Sequence, residues 1–186
     1  MIFRFEGNMR AGKTLAMTAW GAYLQYIVRQ NLGIYSPIWA NYPLHIPFQR
    51  FTKWQELKNA RNAIILFDEI DTAIDSRNFK SEDQQEMTHL FKQFGKLGNT
   101  FMYTSQRDHM VEKRIREQTD YIIKCGKDWR NNRLVQVWID SQAGQEEEKL
   151  VYLRKYIIDN PRLFYKLYDS FAVVETTMVR PKAYGK

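Results

Sequence analysis

Residues Gly7 to Thr14 read GNMRAGKT and match the pattern G-x-x-x-x-G-K-[ST] at every fixed position. A chain with this pattern has few folds open to it. The loop must leave a strand, wrap its backbone N–H groups around an anion, and enter a helix whose N-terminus faces that anion. The flanks meet this demand. Met1–Phe5 (MIFRF) reads as a short strand. Leu15–Arg29 reads as a helix, with Leu15, Ala19, Ala22, Tyr23 and Tyr26 recurring at three- and four-residue steps as its buried face. Gly7 and Gly12 let the backbone curl. Asn8, Met9, Arg10, Ala11 and Leu15 complete the cradle, Lys13 reaches the β- and γ-phosphates, and the Thr14 hydroxyl goes to Mg2+. The implied ligand and cofactor are ATP and Mg2+.

The rest of the chain alternates strand and helix signals. Ile34–Asn41 reads as a second strand, weakened by Pro37. Phe51–Ala60 reads as a short helix capped by Thr52. Asn62–Phe67 (NAIILF) is a continuous apolar run, as expected for a strand covered on both faces. Ser81–Leu97 reads as a helix stopped by Gly98, Thr100–Ser105 as a strand, and Val111–Gln118 as a short charged helix. Tyr121–Cys125 and Leu134–Ile139 read as two strands joined as a hairpin through Gly126–Arg133. Val151–Ile158 alternates poorly and fits strand or helix. This order predicts an α/β fold with a mainly parallel sheet flanked by helices, of the RecA/ASCE-like P-loop NTPase kind, followed by an antiparallel C-terminal hairpin. In such sheets ligands sit at the carboxyl ends of the strands. The expected organisation is one domain over 1–186, with a core at 1–126 and a hairpin and extension at 127–186.

Two further motifs end on predicted strands. Ile64–Glu69 (IILFDE) places two acids after an apolar strand. Asp68 suits Mg2+, and Glu69 suits the orientation and deprotonation of an attacking water. An acid directly after the metal-binding Asp favours hydrolysis over transfer to a small molecule. Thr104–Arg107 (TSQR) ends the next strand and offers Gln106 as a γ-phosphate sensor. Arg77, Arg107, Arg114 and Arg116 are candidates for an arginine finger supplied by a neighbouring subunit, and the sequence does not choose among them. Lys124, Lys127, Arg130 and Arg133 surround Trp129 on the hairpin. They fit either a nucleic-acid track, with Trp129 on bases or sugar, or a solvated hairpin.

Bulk properties narrow the partners. The net charge of +7 favours an anionic partner, most simply nucleic acid. Cys125 is the only cysteine, so an internal disulfide is excluded, and a reducing compartment such as the cytoplasm fits. His45, His89 and His109 lack metal-ligand spacing. Trp20, Trp39 and Trp54 are expected in the core. No run of 18 apolar residues occurs, and the start reads directly as strand and loop, so neither a membrane segment nor a signal peptide is expected.

Taken together these motifs resemble the FtsK/HerA superfamily of DNA-pumping ATPases. Within it, the chain is most similar to zonular occludens toxin-like assembly ATPases of filamentous phages and to genome-packaging ATPases of tailless viruses with internal membranes. The pieces that carry the likeness are IWANYPL (38–44), Asp71–Arg77 (DTAIDSR), TSQR followed by RIREQTDYII, and Leu167–Phe171 (LYDSF). The resemblance covers roughly 1–126, with a weaker echo in the tail. It implies a homo-hexameric ring around double-stranded DNA, hydrolysis at subunit interfaces, and a capsid or a membrane-anchored assembly protein as partner. It also implies a location in the host cytoplasm or with the virion. Packaging of viral DNA is the leading expectation. Filamentous-phage assembly, or a nucleotide switch with negligible turnover, are the alternatives. The chain departs from the phage ATPases in having no membrane segment after the ATPase region.

Overall fold

A computed structural model of the chain describes residues 1–73, 81–106, 111–143 and 151–169, with only the backbone described at 72–73 and 81–85. In chain order the elements are β1 (Ile2–Glu6), α1 (Lys13–Leu32), β2 (Ile38–Ala40), β3 (Gln49–Arg50), a 3-10 turn (Trp54–Asn59), β4 (Ile64–Phe67), α2 (Ile70–Ala73) and α3 (Ser81–Phe94). They continue with β5 (Thr100–Ser105), α4 (Lys113–Glu117), β6 (Tyr121–Asp128), β7 (Arg133–Asp140), β8 (Val151–Ile158) and a 3-10 segment (Pro161–Leu167).

The strands form one sheet in the order β3-β2-β4-β5-β1-β6-β7-β8. The six from β3 to β6 run parallel, and β7 and β8 are added antiparallel. β5 lies between β1, which carries the glycine loop, and β4, which carries the acids. The expected mainly parallel sheet with a C-terminal antiparallel hairpin is therefore present, and the hairpin is lengthened by a third strand. That strand is Val151–Ile158, which sequence periodicity left open between strand and helix. It is the sheet's outer edge and most of its side chains are exposed, so no alternation was available to read.

The apolar runs are buried on both faces and split by parity. Ile65, Phe67, Phe101 and Tyr103 face a core with Met87, Leu90, Phe91 and Phe94 of α3. Ile64, Leu66, Met102, Phe3 and Phe5 face a second core with Ala16 and Met17 of α1. Phe94 stacks on Phe101 at a centroid separation of 5.2 Å, which fixes α3 against β5.

Four sequence expectations shift. Tyr23 and Tyr26 are 54% and 58% exposed, so they are not on the buried face of α1. The buried residues are Leu15–Ala19 and Gly21, all in the first half of the helix. Length explains this: 20 residues of helix span about 30 Å, whereas a five-residue strand spans about 17 Å, so the far half of α1 overhangs the sheet. Trp39 and Trp54 are core residues as expected, but Trp20 is only half-buried. Its ring meets Trp138 and Tyr156 at 4.9 and 5.3 Å, and its Nε1–H donates to Gln136 Oε1 at 2.6 Å, joining α1 to the antiparallel strands. The second strand is reduced to Ile38–Ala40, beginning directly after Pro37. The helix expected over 51–60 is a 3-10 turn entered from Lys53 and not from Thr52. There the Glu56 carboxylate reaches back to the Lys53 and Thr52 N–H groups at 2.8 and 3.1 Å.

Candidate nucleotide site

The glycine loop joins the end of β1 to the start of α1, and its two glycines are required for different contacts. A Cβ on Gly7 would lie 2.5 Å from the Cys125 carbonyl oxygen of β6, because the loop leaves the sheet flush against its neighbour. Gly12 has φ +83°, and a Cβ there would lie 2.6 Å from Leu134 Cδ2. Arg10 also sits at positive φ, 63°. Lys13 Nζ donates to the Gly7 and Asn8 carbonyl oxygens at 3.0 and 3.1 Å, so the ammonium is held across the mouth of the loop.

Asp68 is the hub of the site. Thr14 Oγ1 donates to its carboxylate oxygens at 2.9 and 3.1 Å, and Thr104 Oγ1 donates to Oδ1 at 2.6 Å. The backbone of Asp68 is clamped by Asn41. The Asp68 N–H donates to Asn41 Oδ1 at 2.8 Å, and Asn41 Nδ2–H donates to the Asp68 carbonyl at 3.0 Å. Burial raises the Asp68 carboxyl above its ordinary 3.8, against the opposing pull of Thr104, Thr14 and Lys13. Glu69 follows at φ 53°, and its N–H donates to Thr104 Oγ1 at 2.8 Å. Partial desolvation raises its carboxyl above 4.5, and the neighbouring charges of Asp68 and Asp71 push the same way. The Gln106 N–H donates to Asp71 Oδ2 at 3.0 Å, which ties the end of β5 to α2.

These groups open on one cavity of about 840 Å³. Met9, Arg10, Gly12, Lys13, Thr14, Leu15, Asp68, Glu69 and Gln106 all line it, together with Asp71, Thr104 and Ser105. Gly7, Asn8 and Ala11 belong to the loop without lining the cavity. The donor set fits Mg2+. A hydroxyl and a desolvated carboxylate lie within hydrogen-bond distance of one another beside a phosphate cradle, and Mg2+ in such sites takes one or two protein oxygens plus phosphates. Among the described residues no cluster of three or more His, Cys, Asp or Glu side chains competes for a metal.

The remaining candidates fall differently. Arg77 and Arg107 lie outside the described residues. Arg114 is exposed on α4, and Arg116, half-buried on the same helix, does not line the cavity. The four hairpin cations do not form one stripe. Lys124 pairs with Glu6 at 3.7 Å and Arg133 with Asp159 at 2.8 Å, while Arg130 is exposed at the turn. Lys127 lines the nucleotide cavity, 4.0 Å above the Trp129 ring. Reasoning from sequence missed Asn41 and Thr104. Both lay inside stretches that carried the family likeness, but their role is visible only once β2, β4 and β5 are side by side.

The family profile described as "Zonular occludens toxin (Zot)" matches residues 44–173. The chain belongs to this family. The matched stretch takes in the acids, the sensor strand, the hairpin and the C-terminal 3-10 segment, while the glycine loop precedes it. Among solved structures, the chain is similar to the N-terminal domain of zonular occludens toxin from Neisseria meningitidis, at 16% identity and a TM-score of 0.59, covering 90% of this chain and 98% of that one. It is also similar to the flagellar accessory protein FlaH from Methanocaldococcus jannaschii, at 13% identity and TM-score 0.53, covering 84% and 83%. A third likeness is to the DNA-packaging ATPase from Sulfolobus Turreted Icosahedral Virus, at 10% identity and TM-score 0.51, covering 86% and 97%. At these identities the likenesses show a shared fold. No curated protein matches the chain by sequence. Among the described residues no helix is long and apolar enough to cross a membrane.

Proposed function

We propose that this chain is an ATP-hydrolysing motor domain of a virus or phage, acting as one unit over residues 1–186 in a homo-hexameric ring. The observation that carries the reading is the convergence of Lys13, Thr14, Asp68, Glu69 and Gln106 on one cavity at the tips of β1, β4 and β5. Lys13 and the loop N–H groups would bind the β- and γ-phosphates, and Thr14 and Asp68 would hold Mg2+. Bound Mg2+ supplies charge neutralisation on the phosphate oxygens. Glu69 would orient and accept a proton from the attacking water. Its raised carboxyl pKa makes it a better base than a solvated glutamate. Gln106 would report the γ-phosphate through its Asp71-anchored backbone. An arginine of a neighbouring subunit, with Arg77, Arg107 and Arg116 as candidates, would complete the charge balance.

Family membership favours virion assembly or extrusion in the manner of zonular occludens toxin-like phage ATPases, working with a membrane-anchored partner in the host cytoplasm. The likeness to a viral packaging ATPase keeps a second reading, in which the motor drives double-stranded DNA into a capsid. The net charge of +7 suits a nucleic-acid cargo in both.

The test is steady-state ATP hydrolysis with and without long double-stranded DNA, at several protein concentrations, beside a Glu69→Gln variant. The variant should bind ATP and lose at least about 100-fold in turnover, the lower range for removing a general base. Undiminished turnover by Glu69→Gln would refute the role of Glu69. ATP binding without turnover under every condition would favour the switch reading.

A further inference from the structure

The cavity does not end at the phosphate loop. Beyond Gly12 it continues to Leu134, Lys127 and Trp129 at the β6–β7 turn. The strand order bears on the orientation of whatever lies in it. β1 carries the loop in the middle, the acids of β4 and the sensor of β5 stand on one side, and β6 and β7 stand on the other. A triphosphate whose γ end faces Glu69 and Gln106 would have the β6–β7 side within reach of its α-phosphate and base; Tyr165 and Tyr168 of the C-terminal segment line the same cavity. Leu134 lies close to the loop, since a Cβ on Gly12 would come within 2.6 Å of its Cδ2.

The turn is built to hold an aromatic ring at this place. Asp128 Oδ1 accepts from the Arg130 and Asn131 N–H groups at 3.1 and 3.3 Å, and Oδ2 from Asn131 Nδ2 at 2.7 Å, which fixes the turn on either side of Trp129. The Trp129 ring is 68% exposed and stacks on no other described ring. Lys127 Nζ sits over the ring, 4.0 Å from its centroid. An exposed tryptophan beside a phosphate cradle, backed by a lysine that also lines the cavity, has the chemistry of a base platform.

We propose that the β6–β7 turn is the nucleobase subsite of this site: Trp129 stacks on the base, and Lys127 holds the ring and adds positive charge at the α-phosphate end. This rests on the phosphate-loop reading above and names what it leaves open, the part of the ligand beyond the phosphates. Stacking reads a π-face and not a hydrogen-bonding edge, so ATP and GTP should bind within a few-fold of one another.

The experiment is equilibrium binding of ATP, GTP and inorganic tripolyphosphate to the full chain and to Trp129→Ala and Trp129→Phe. Trp129→Ala should weaken ATP and GTP about 5- to 150-fold, the range for losing one aromatic stack, and leave tripolyphosphate unchanged. Trp129→Phe should restore most of the loss. Unchanged ATP affinity in Trp129→Ala would overturn the inference, as would an equal loss for ATP and tripolyphosphate. Loss of DNA-stimulated turnover at unchanged ATP affinity would place the ring against DNA instead, and would also overturn it. Absence of tripolyphosphate binding by the unaltered chain would overturn the phosphate-loop reading itself, and the base subsite with it.

Discussion

Thr104→Val isolates the contact on which the acidic half of the site depends. The Thr104 hydroxyl is fully buried, donates to Asp68 Oδ1 at 2.6 Å and accepts the Glu69 N–H at 2.8 Å. Valine keeps the shape and removes both bonds. A hydrogen bond to a charged group contributes about 1.5–3 kcal/mol, and the stranded Glu69 amide costs about 1 kcal/mol more because water reaches it only in part. The expected loss is about 2.5–4 kcal/mol, or roughly 5–15 °C in melting temperature for a chain of this size. The loss should depend on pH. Burial raises the folded-state Asp68 carboxyl above its ordinary 3.8, so the stability tied to this group is fully present below 3.8 and is lost as pH rises through the folded value. The Thr104 bond opposes that rise, and its removal raises the folded value further. The difference between wild type and Thr104→Val should therefore be smallest near pH 3.8 and grow as pH rises through the folded values. The assay is urea unfolding in metal-free buffer from pH 4 to 8, repeated in an Asp68→Asn background. There the bond is between neutral groups, and the cost should fall to about 1.5–2.5 kcal/mol, about 1 of it from the stranded Glu69 amide. A loss under about 1 kcal/mol in wild type, or an equal loss in both backgrounds, would refute the reasoning.

Gly7→Ala should destabilise the fold by about 1–3 kcal/mol, the usual cost of overpacking, because its Cβ would meet a sheet carbonyl that cannot swing aside. Denaturant melts and tripolyphosphate titration read the two effects, and wild-type behaviour in both would show that the loop has slack. Desolvation pushes the Cys125 thiol up to about 12, so iodoacetamide at pH 8 should label it far more slowly than a free cysteine, until denaturant is added. Mass spectrometry over time decides this, and labelling at the free rate would contradict the burial of the sulfur. Arg133→Ala should change stability by less than about 1 kcal/mol, since the Arg133–Asp159 pair is largely solvated. A thermal melt checks it, and a larger loss would mean the pair is screened from water.

What the sequence made legible was local. The loop, the Asp68–Glu69 pair and Gln106 each sit in a short stretch whose composition determines its backbone, and the sheet brought all three to one cavity. The strand runs NAIILF and TFMYTS were readable because both faces of a central strand are apolar. What was hidden depended on distant pairing. Asn41 acts on Asp68 27 positions away, and Thr104 acts on it 36 positions away, so neither has a local signature. Lys127 read only as one of four basic residues on the hairpin, and strand parity puts it on the side opposite Lys124, lining the cavity. Tyr23 and Tyr26 misled because helical periodicity reports a face and not where the sheet beneath it ends.

The geometry around Asp68 and Glu69 works against the stability of the empty protein. A carboxylate is held in the interior, where burial disfavours its charge. The next residue, a glutamate, is held at φ 53°, a conformation that costs a non-glycine residue of order 1 kcal/mol or more. Neither feature improves the fold. Each is maintained by contacts that would otherwise be unnecessary: the Asn41 clamp on the Asp68 backbone and the Thr104 hydroxyl shared between Asp68 and Glu69. Strain and a desolvated charge held in place from two neighbouring strands are what a site needs when it must meet a cation and a phosphate without rearranging. On the proposed function, a bound magnesium nucleotide would add to the countercharge that Lys13 already supplies. Bound ligand would stabilise the folded chain by about 2.7 kcal/mol once it stands at 100 times its dissociation constant.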